Sequence, residues 1–204
     1  MIEKFLIQLG VTKFSVYMQD YGGPVGFRIA VRHPDWIQSL IIQNANVYLE
    51  GIPPMLDRLL RPEWENRTAA TEAPILKMFE RTGTMAQYRD GARAPERMNP
   101  DAWNIDQYGL DRPGNFAIQL DLQANYHTNL ACYPQWQAYL KQHQPPTLVV
   151  WGKNDPIFGT ANADRLQRDL ADVEVHLLDT GHFALEEDCE VIAGHIRRFL
   201  TIRV

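Results

Sequence analysis

Cysteine is nearly absent from this chain of 204 residues: only Cys132 and Cys189 occur, and neither sits in a CxxC or Cys/His pattern. That excludes a disulfide framework and a cysteine-based zinc site, and predicts two packed thiols in a reducing compartment. Long apolar runs are missing as well. No stretch approaches 18 consecutive apolar residues, so no membrane-spanning helix is predicted. The opening Met1-Ile-Glu-Lys-Phe-Leu-Ile-Gln-Leu-Gly10 lacks both the basic n-region and the small-residue cleavage site of a signal peptide. Nor is there a Lys/Arg stripe to neutralise phosphates. The 20 basic residues are scattered among 25 acidic ones, for a net charge of −5, which argues against a nucleic-acid partner. Gly and Pro number 13 each, close to average usage, so a collagen-like or disordered chain is excluded. What is present is ordinary: 45% hydrophobic and 22% charged residues, enough to bury a core in about one domain with an inserted lobe. The expectation is a soluble cytoplasmic protein without metal or cofactor.

The first 45 residues have a clear rhythm. Ile2, Phe5, Leu6 and Leu9 share one helical face, and Gly10 ends that helix as a left-handed cap would. Phe14 to Met18 is a short strand, followed by the turn Gln19-Asp20-Tyr21-Gly22-Gly23. Pro24 suits the first position of a helix that stops before Pro34, and Leu40-Ile41-Ile42 reads as a second buried strand. The last third repeats the pattern. Thr147–Trp151 is a strand, Asp164–Leu170 a helix, Val173–Leu178 a strand and Cys189–Leu200 a closing helix. Strands apolar on both sides and alternating with helices predict a parallel sheet covered by helices. Residues 47–144, rich in Pro, Trp, Tyr, Arg and Asn, show several short helical patterns and no convincing strand. The organisation predicted is an α/β core in two parts, 1–46 and 145–204, around a helical insertion over 47–144.

Three residues follow predicted strands, where ligand sites of open α/β sheets collect. Asp20 lies in a sharp strand-to-helix turn, Asp155 in Trp151-Gly-Lys-Asn-Asp-Pro156, and His182 in Thr180-Gly-His-Phe183. A carboxylate nucleophile, an acidic orienter and a histidine base in that chain order match the nucleophile–acid–base order of the α/β-hydrolase triad.

Tyr17-Met-Gln-Asp-Tyr-Gly-Gly-Pro-Val-Gly-Phe-Arg28, Trp151 to Pro156 and Gly181-His-Phe-Ala-Leu-Glu186 resemble the α/β-hydrolase branch of haloalkane dehalogenases and epoxide hydrolases. The resemblance implies an α/β-hydrolase fold with an inserted helical cap. It also implies a two-step mechanism: Asp20 attacks an electrophilic carbon to form an ester, and His182, held by Asp155, activates water to hydrolyse it. The N–H of Tyr21 would supply one oxyanion donor. Asn125-Tyr126-His-Thr-Asn129 is similar to the cap motif that gives epoxide hydrolases a ring-opening tyrosine, although His127 stands where the family usually has Arg. A second such tyrosine is left open among Tyr48, Tyr88 and Tyr108, while Tyr133, Trp136 and Tyr139 are expected to pack. Dehalogenases commonly carry an indole after the nucleophile, and Tyr21 takes that place here. The substrate implied is a small apolar electrophile, an epoxide or alkyl halide.

Family members have about 80–100 residues before the nucleophile turn, a length set by the usual domain size. Only one helix and one strand precede Asp20. The resemblance therefore implies a chain without the family's N-terminal part and its second oxyanion donor. It predicts an edge strand at Phe14–Met18, self-association through that edge or a poorly soluble chain, and reduced activity. The alternatives are a dehalogenase-like hydrolase and, from another class, an inactive truncated domain that binds a ligand or partner.

Overall fold

The structure, a computed structural model, describes residues 1–203. Four parallel strands, β1 (Phe14–Gln19), β2 (Ile37–Gln43), β3 (Thr147–Gly152) and β4 (Val173–Leu178), form one sheet in the order β1-β2-β3-β4. Helices α1 (Ile2–Gln8), α2 (Gly22–Arg32), α8 (Ala161–Asp169) and α9 (Leu185–Arg203) belong to this layer system. Between β2 and β3 run α3 (Pro54–Glu65), α4 (Ala69–Phe79), α5 (Arg81–Arg89), α6 (Pro100–Leu110) and α7 (Asn115–His143). No helix among the described residues is long and apolar enough to cross a membrane.

Period-two alternation along the central strands divides the core. Leu40 and Ile42 of β2 join Val149 and Trp151 of β3 on the face covered by Phe27 and Ala30 of α2 and by Trp136 and Leu140 of α7. Ile41, Leu148 and Val150 point to the other face, where Ile192 and Phe199 of α9 cover them. Strands β2 and β3 are buried nearly throughout, whereas β1 and β4 are only half-buried. The expectation of strands apolar on both sides thus holds for the two central ones alone, because the outer two each have one neighbour. Tyr133, Trp136 and Tyr139 pack in the main core, as their helical spacing predicts.

Three details differ from the sequence reading. Helix α2 begins at Gly22, so Pro24 is its third residue, still within the turn whose N–H groups lack helical partners. Helix α1 ends before Gly10 at φ +69°, yet it buries none of its residues: Ile2, Phe5 and Leu9 are each about half exposed. It is held instead by Glu3, which pairs with His33 and Arg32 at the end of α2. Cys189 is exposed rather than packed, while Cys132 is half-buried.

Candidate active site

All four strands run in one direction, so their C-terminal ends converge, and each contributes to a single group of residues. After Gln19 the chain turns sharply at Asp20, whose φ of +48° lies in the left-handed region that Asp and Asn tolerate best. The turn is fixed by Asp20 N–H donating to the Asn44 carbonyl (3.1 Å) and by Gly23 N–H donating to the Asp20 carbonyl (2.9 Å). Close approach of α2 to the sheet needs glycine here. A Cβ on Gly23 would lie 2.9 Å from Cβ of Ala45, and one on Gly26 2.6 Å from the Met18 sulfur. Tyr21 is the N-cap residue of α2.

His182 sits in the loop between β4 and α9. Its Nε2 donates to Oδ2 of Asp20 at 3.0 Å, and its Nδ1 donates to Oδ2 of Asp155 at 2.8 Å. The three residues singled out in the sequence are thereby brought into one hydrogen-bonded chain. Asp155 is saturated with donors: Asn44 Nδ2 reaches Oδ2 at 2.8 Å and Ile157 N–H reaches Oδ1 at 2.7 Å. Asn44 is itself clamped, its Oδ1 accepting from Gly152 N–H at 2.9 Å. Gln19 adds an Nε2 donor to the His182 carbonyl at 3.3 Å. The loops carrying Asp155 and His182 are zipped together by glycine. A Cβ on Gly152 would fall 2.0 Å from the Gly181 carbonyl oxygen, and one on Gly181 2.4 Å from that of Asp90.

Burial divides the group. The side chains of His182 and Asp155 are 1% and 0% exposed, and that of Asp20 is 29% exposed. Burial alone would push the His182 imidazolium down, but hydrogen bonds and charge from Asp155 and Asp20 overrule it and raise its pKa to about 10. At neutral pH the ring is a cation held between two carboxyl groups.

Above Asp20 lies a cavity of about 50 Å³, lined among others by Tyr21, Leu56, Leu60, Trp64, Tyr126 and Phe158. Tyr126, in the middle of α7, meets Tyr21 edge to face at 5.6 Å and stacks on Trp64 at 6.2 Å. Burial, helped by Tyr133, Asp20 and Tyr21, drives the Tyr126 phenol well above its ordinary pKa, so it stays protonated. The neighbouring His127 is exposed.

None of the three candidates for a second ring-opening tyrosine is in this cavity. The Tyr48 hydroxyl donates to Asp169 at 2.8 Å, that of Tyr88 donates to Asp106 at 2.5 Å, and Tyr108 is 78% exposed. The other tyrosine lining the cavity is Tyr21, whose hydroxyl is buried and without a hydrogen-bond partner. Its phenol is pushed up by burial first, and then by Asp20 and Glu63. Sequence reasoning weighed only the backbone of Tyr21 and missed its side chain, although its position beside Asp20 was the available signal. Asn44 was missed too, and its φ of +41° after a strand has no sequence signature beyond Asn itself.

Residues 1–188 match the alpha/beta hydrolase fold family. The chain belongs to that family. An uncharacterized hydrolase of Saccharomyces cerevisiae is 36% identical to this α/β-hydrolase over 191 residues, 92% of this chain and 66% of the relative. Epoxide hydrolase 4 of Homo sapiens is 24% identical over 169 residues, covering 76% of this chain and 43% of the relative. Among solved structures, the haloalkane dehalogenase DatA from Agrobacterium tumefaciens superposes with a TM-score of 0.76 at 18% identity, over all of this chain and 71% of that one, which establishes the shared fold. The α/β-hydrolase chain thus spans less than two thirds of the length of these two curated relatives.

Proposed function

We propose that this hydrolase opens small apolar epoxides through an ester on Asp20. The observation that carries the reading is the pairing of an aspartate, in place of serine, at the strand-to-helix turn with two tyrosines, Tyr126 and Tyr21, lining the cavity it faces. Asp20 Oδ2 is held by His182, which leaves Oδ1 to attack a ring carbon. The carbon–oxygen bond of the epoxide breaks as the ester bond forms, and the ring oxygen takes a proton from Tyr126 or Tyr21. Ester formation removes one of the two negative charges that hold His182 protonated. The imidazolium then gives up its proton, which restores the phenol, and becomes the neutral base the second step requires. Water, losing a proton to Nε2, adds to the ester carbonyl, and the Tyr21 N–H supports the oxyanion. Collapse expels the alkoxide, which takes the proton of the nascent Asp20 carboxylic acid, so the diol leaves with Asp20 a carboxylate and His182 protonated again.

A second reading, dehalogenation, uses the same first step with halide as the leaving group. It is supported by the dehalogenase among the structural relatives. Against it, the Trp64 indole that borders the cavity already donates to the Gln123 carbonyl at 2.9 Å and has no N–H left for a halide. The test is a trap. His182→Gln, incubated with styrene oxide and separately with a bromoalkane, should accumulate a stable adduct on Asp20 with the epoxide, read by peptide mass spectrometry. An adduct with the bromoalkane alone selects the second reading. Failure of both probes, with wild type also inactive, selects a binding domain without turnover.

The same chain should self-associate. Strand β1 pairs only with β2 among the described residues, and beside it α1 exposes Ile2, Phe5, Ile7 and Leu9. Size-exclusion chromatography showing a monomer at high concentration would count against this.

A further inference from the structure

Away from the active site, the outer edge of the sheet carries a second group of chemically capable side chains. Glu174 and His176 are two residues apart on β4, and alternation puts both on the face covered by α9. His195, from the middle of α9, lies against them. The His176 and His195 rings are parallel to within 24°, with centroids 3.7 Å apart. The His176 Nε2 hydrogen-bonds the Glu174 carboxylate, which also accepts from the Arg198 guanidinium. One donor atom from each of Glu174, His176 and His195 lies within 4.8 Å of the other two. All three residues are half-buried, and so are reachable from solvent.

The geometry points to a binding site for a divalent transition-metal ion of the zinc, copper or nickel kind. Two imidazole nitrogens and one carboxylate oxygen form a borderline donor set. Magnesium and calcium prefer all-oxygen cages, and sulfur-seeking ions find no thiolate here. Bond lengths of about 2.0–2.2 Å to such an ion need the three donors to close by roughly 1 Å, a motion that rotation of half-exposed side chains supplies. The metal replaces the proton shared by His176 and Glu174, Arg198 moves off the carboxylate, and water fills the fourth position. The consequence is mechanical. A bound ion staples α9 to β4, the two elements that bracket the loop holding His182. Metal binding there is independent of which reaction Asp20 performs.

The experiment uses untagged protein freed of metal by chelation. Isothermal titration with zinc chloride should give one site per chain, and magnesium chloride should give none. A hundredfold excess of zinc over its Kd should raise Tm by about 5–10 °C. Copper(II) added at one equivalent should show an electron paramagnetic resonance signal split by two nitrogens. His176→Ala and His195→Ala should each abolish the zinc response. Arg198→Ala, which frees Glu174, should tighten it. Absence of zinc binding, binding that survives in the His176→Ala/His195→Ala double variant, or a copper signal with a single nitrogen would overturn the proposal.

Discussion

The floor and the roof of the cavity above Asp20 are built on opposite principles. On the floor, at the ends of the strands, Asp155 has donors on both oxygens, His182 uses both ring nitrogens, and Asn44 binds through both its oxygen and its nitrogen. Toward the roof, where Tyr21 meets the helices over residues 54–143, the Tyr21 hydroxyl and both carboxyl oxygens of Glu63 are buried without a partner, as are Asn46 Oδ1 and the Thr180 hydroxyl outside the Asp20–His182–Asp155–Asn44 chain. A satisfied network holds one geometry, whereas an orphaned buried group costs about 1–3 kcal/mol until something meets it. The chain from Asp20 through His182 and Asp155 to Asn44 is complete at rest. The Tyr21 hydroxyl beside the cavity is not.

The largest effect should come from the floor. Asp20→Asn keeps the left-handed turn but removes the proposed nucleophile, and turnover should fall about 10⁴–10⁶-fold. Residual activity near wild type would show that the floor is not where the reaction occurs. Next in size is the roof. Tyr126→Phe should slow epoxide opening by about 10²–10⁴-fold while leaving haloalkane turnover nearly intact, and Tyr21→Phe should act in the same direction. Equal losses on both substrates would make these tyrosines packing residues.

Stability separates the two regions further. His182 is protonated up to about pH 10 in the folded chain but only to its ordinary value of 6.5 when unfolded. Its stabilising contribution is therefore whole below pH 6.5 and is lost as the pH climbs toward 10. Denaturant midpoints measured from pH 6.5 to 10 should fall, and His182→Gln should flatten the slope. The smallest effect has the opposite sign. Glu63 is 2% exposed, and burial holds its carboxyl above the usual carboxylate range, so Glu63→Leu should stabilise by about 1–2 kcal/mol. If that substitution instead destabilises, Glu63 has a partner and the contrast between floor and roof is weaker than drawn.

What could be read from the sequence was what local chemistry determines. The turn at Asp20, the apolar runs of β2 and β3 and the order Asp20, Asp155, His182 depend on neighbours in the chain, and the structure assembles them as read. What long-range packing decides was not legible. Asn44 reaches Asp155 across 111 positions, and nothing near Asn44 announces it. The second phenol of the cavity was sought in the cap, where tyrosines are plentiful, but Tyr48 and Tyr88 had already been claimed by Asp169 and Asp106. Helix α1 has an amphipathic pattern, yet amphipathicity states only that a face can be buried, not that a surface is there to receive it.

The glycine contact between the loops of Asp155 and His182 bears on how this protein can change over generations. With a methyl carbon on Gly152 only 2.0 Å from the Gly181 oxygen, and one on Gly181 only 2.4 Å from that of Asp90, neither loop can vary unless its neighbour changes too. Such coupled positions sit on narrow mutational ridges, crossed only by simultaneous substitutions. Leu56 and Leu60, on one exposed-edged helix of the cavity wall, are not bound in this way. New substrates should therefore be reached through the wall, one residue at a time, around a hydrogen-bonded Asp155–His182 pair whose loops are inherited as a unit.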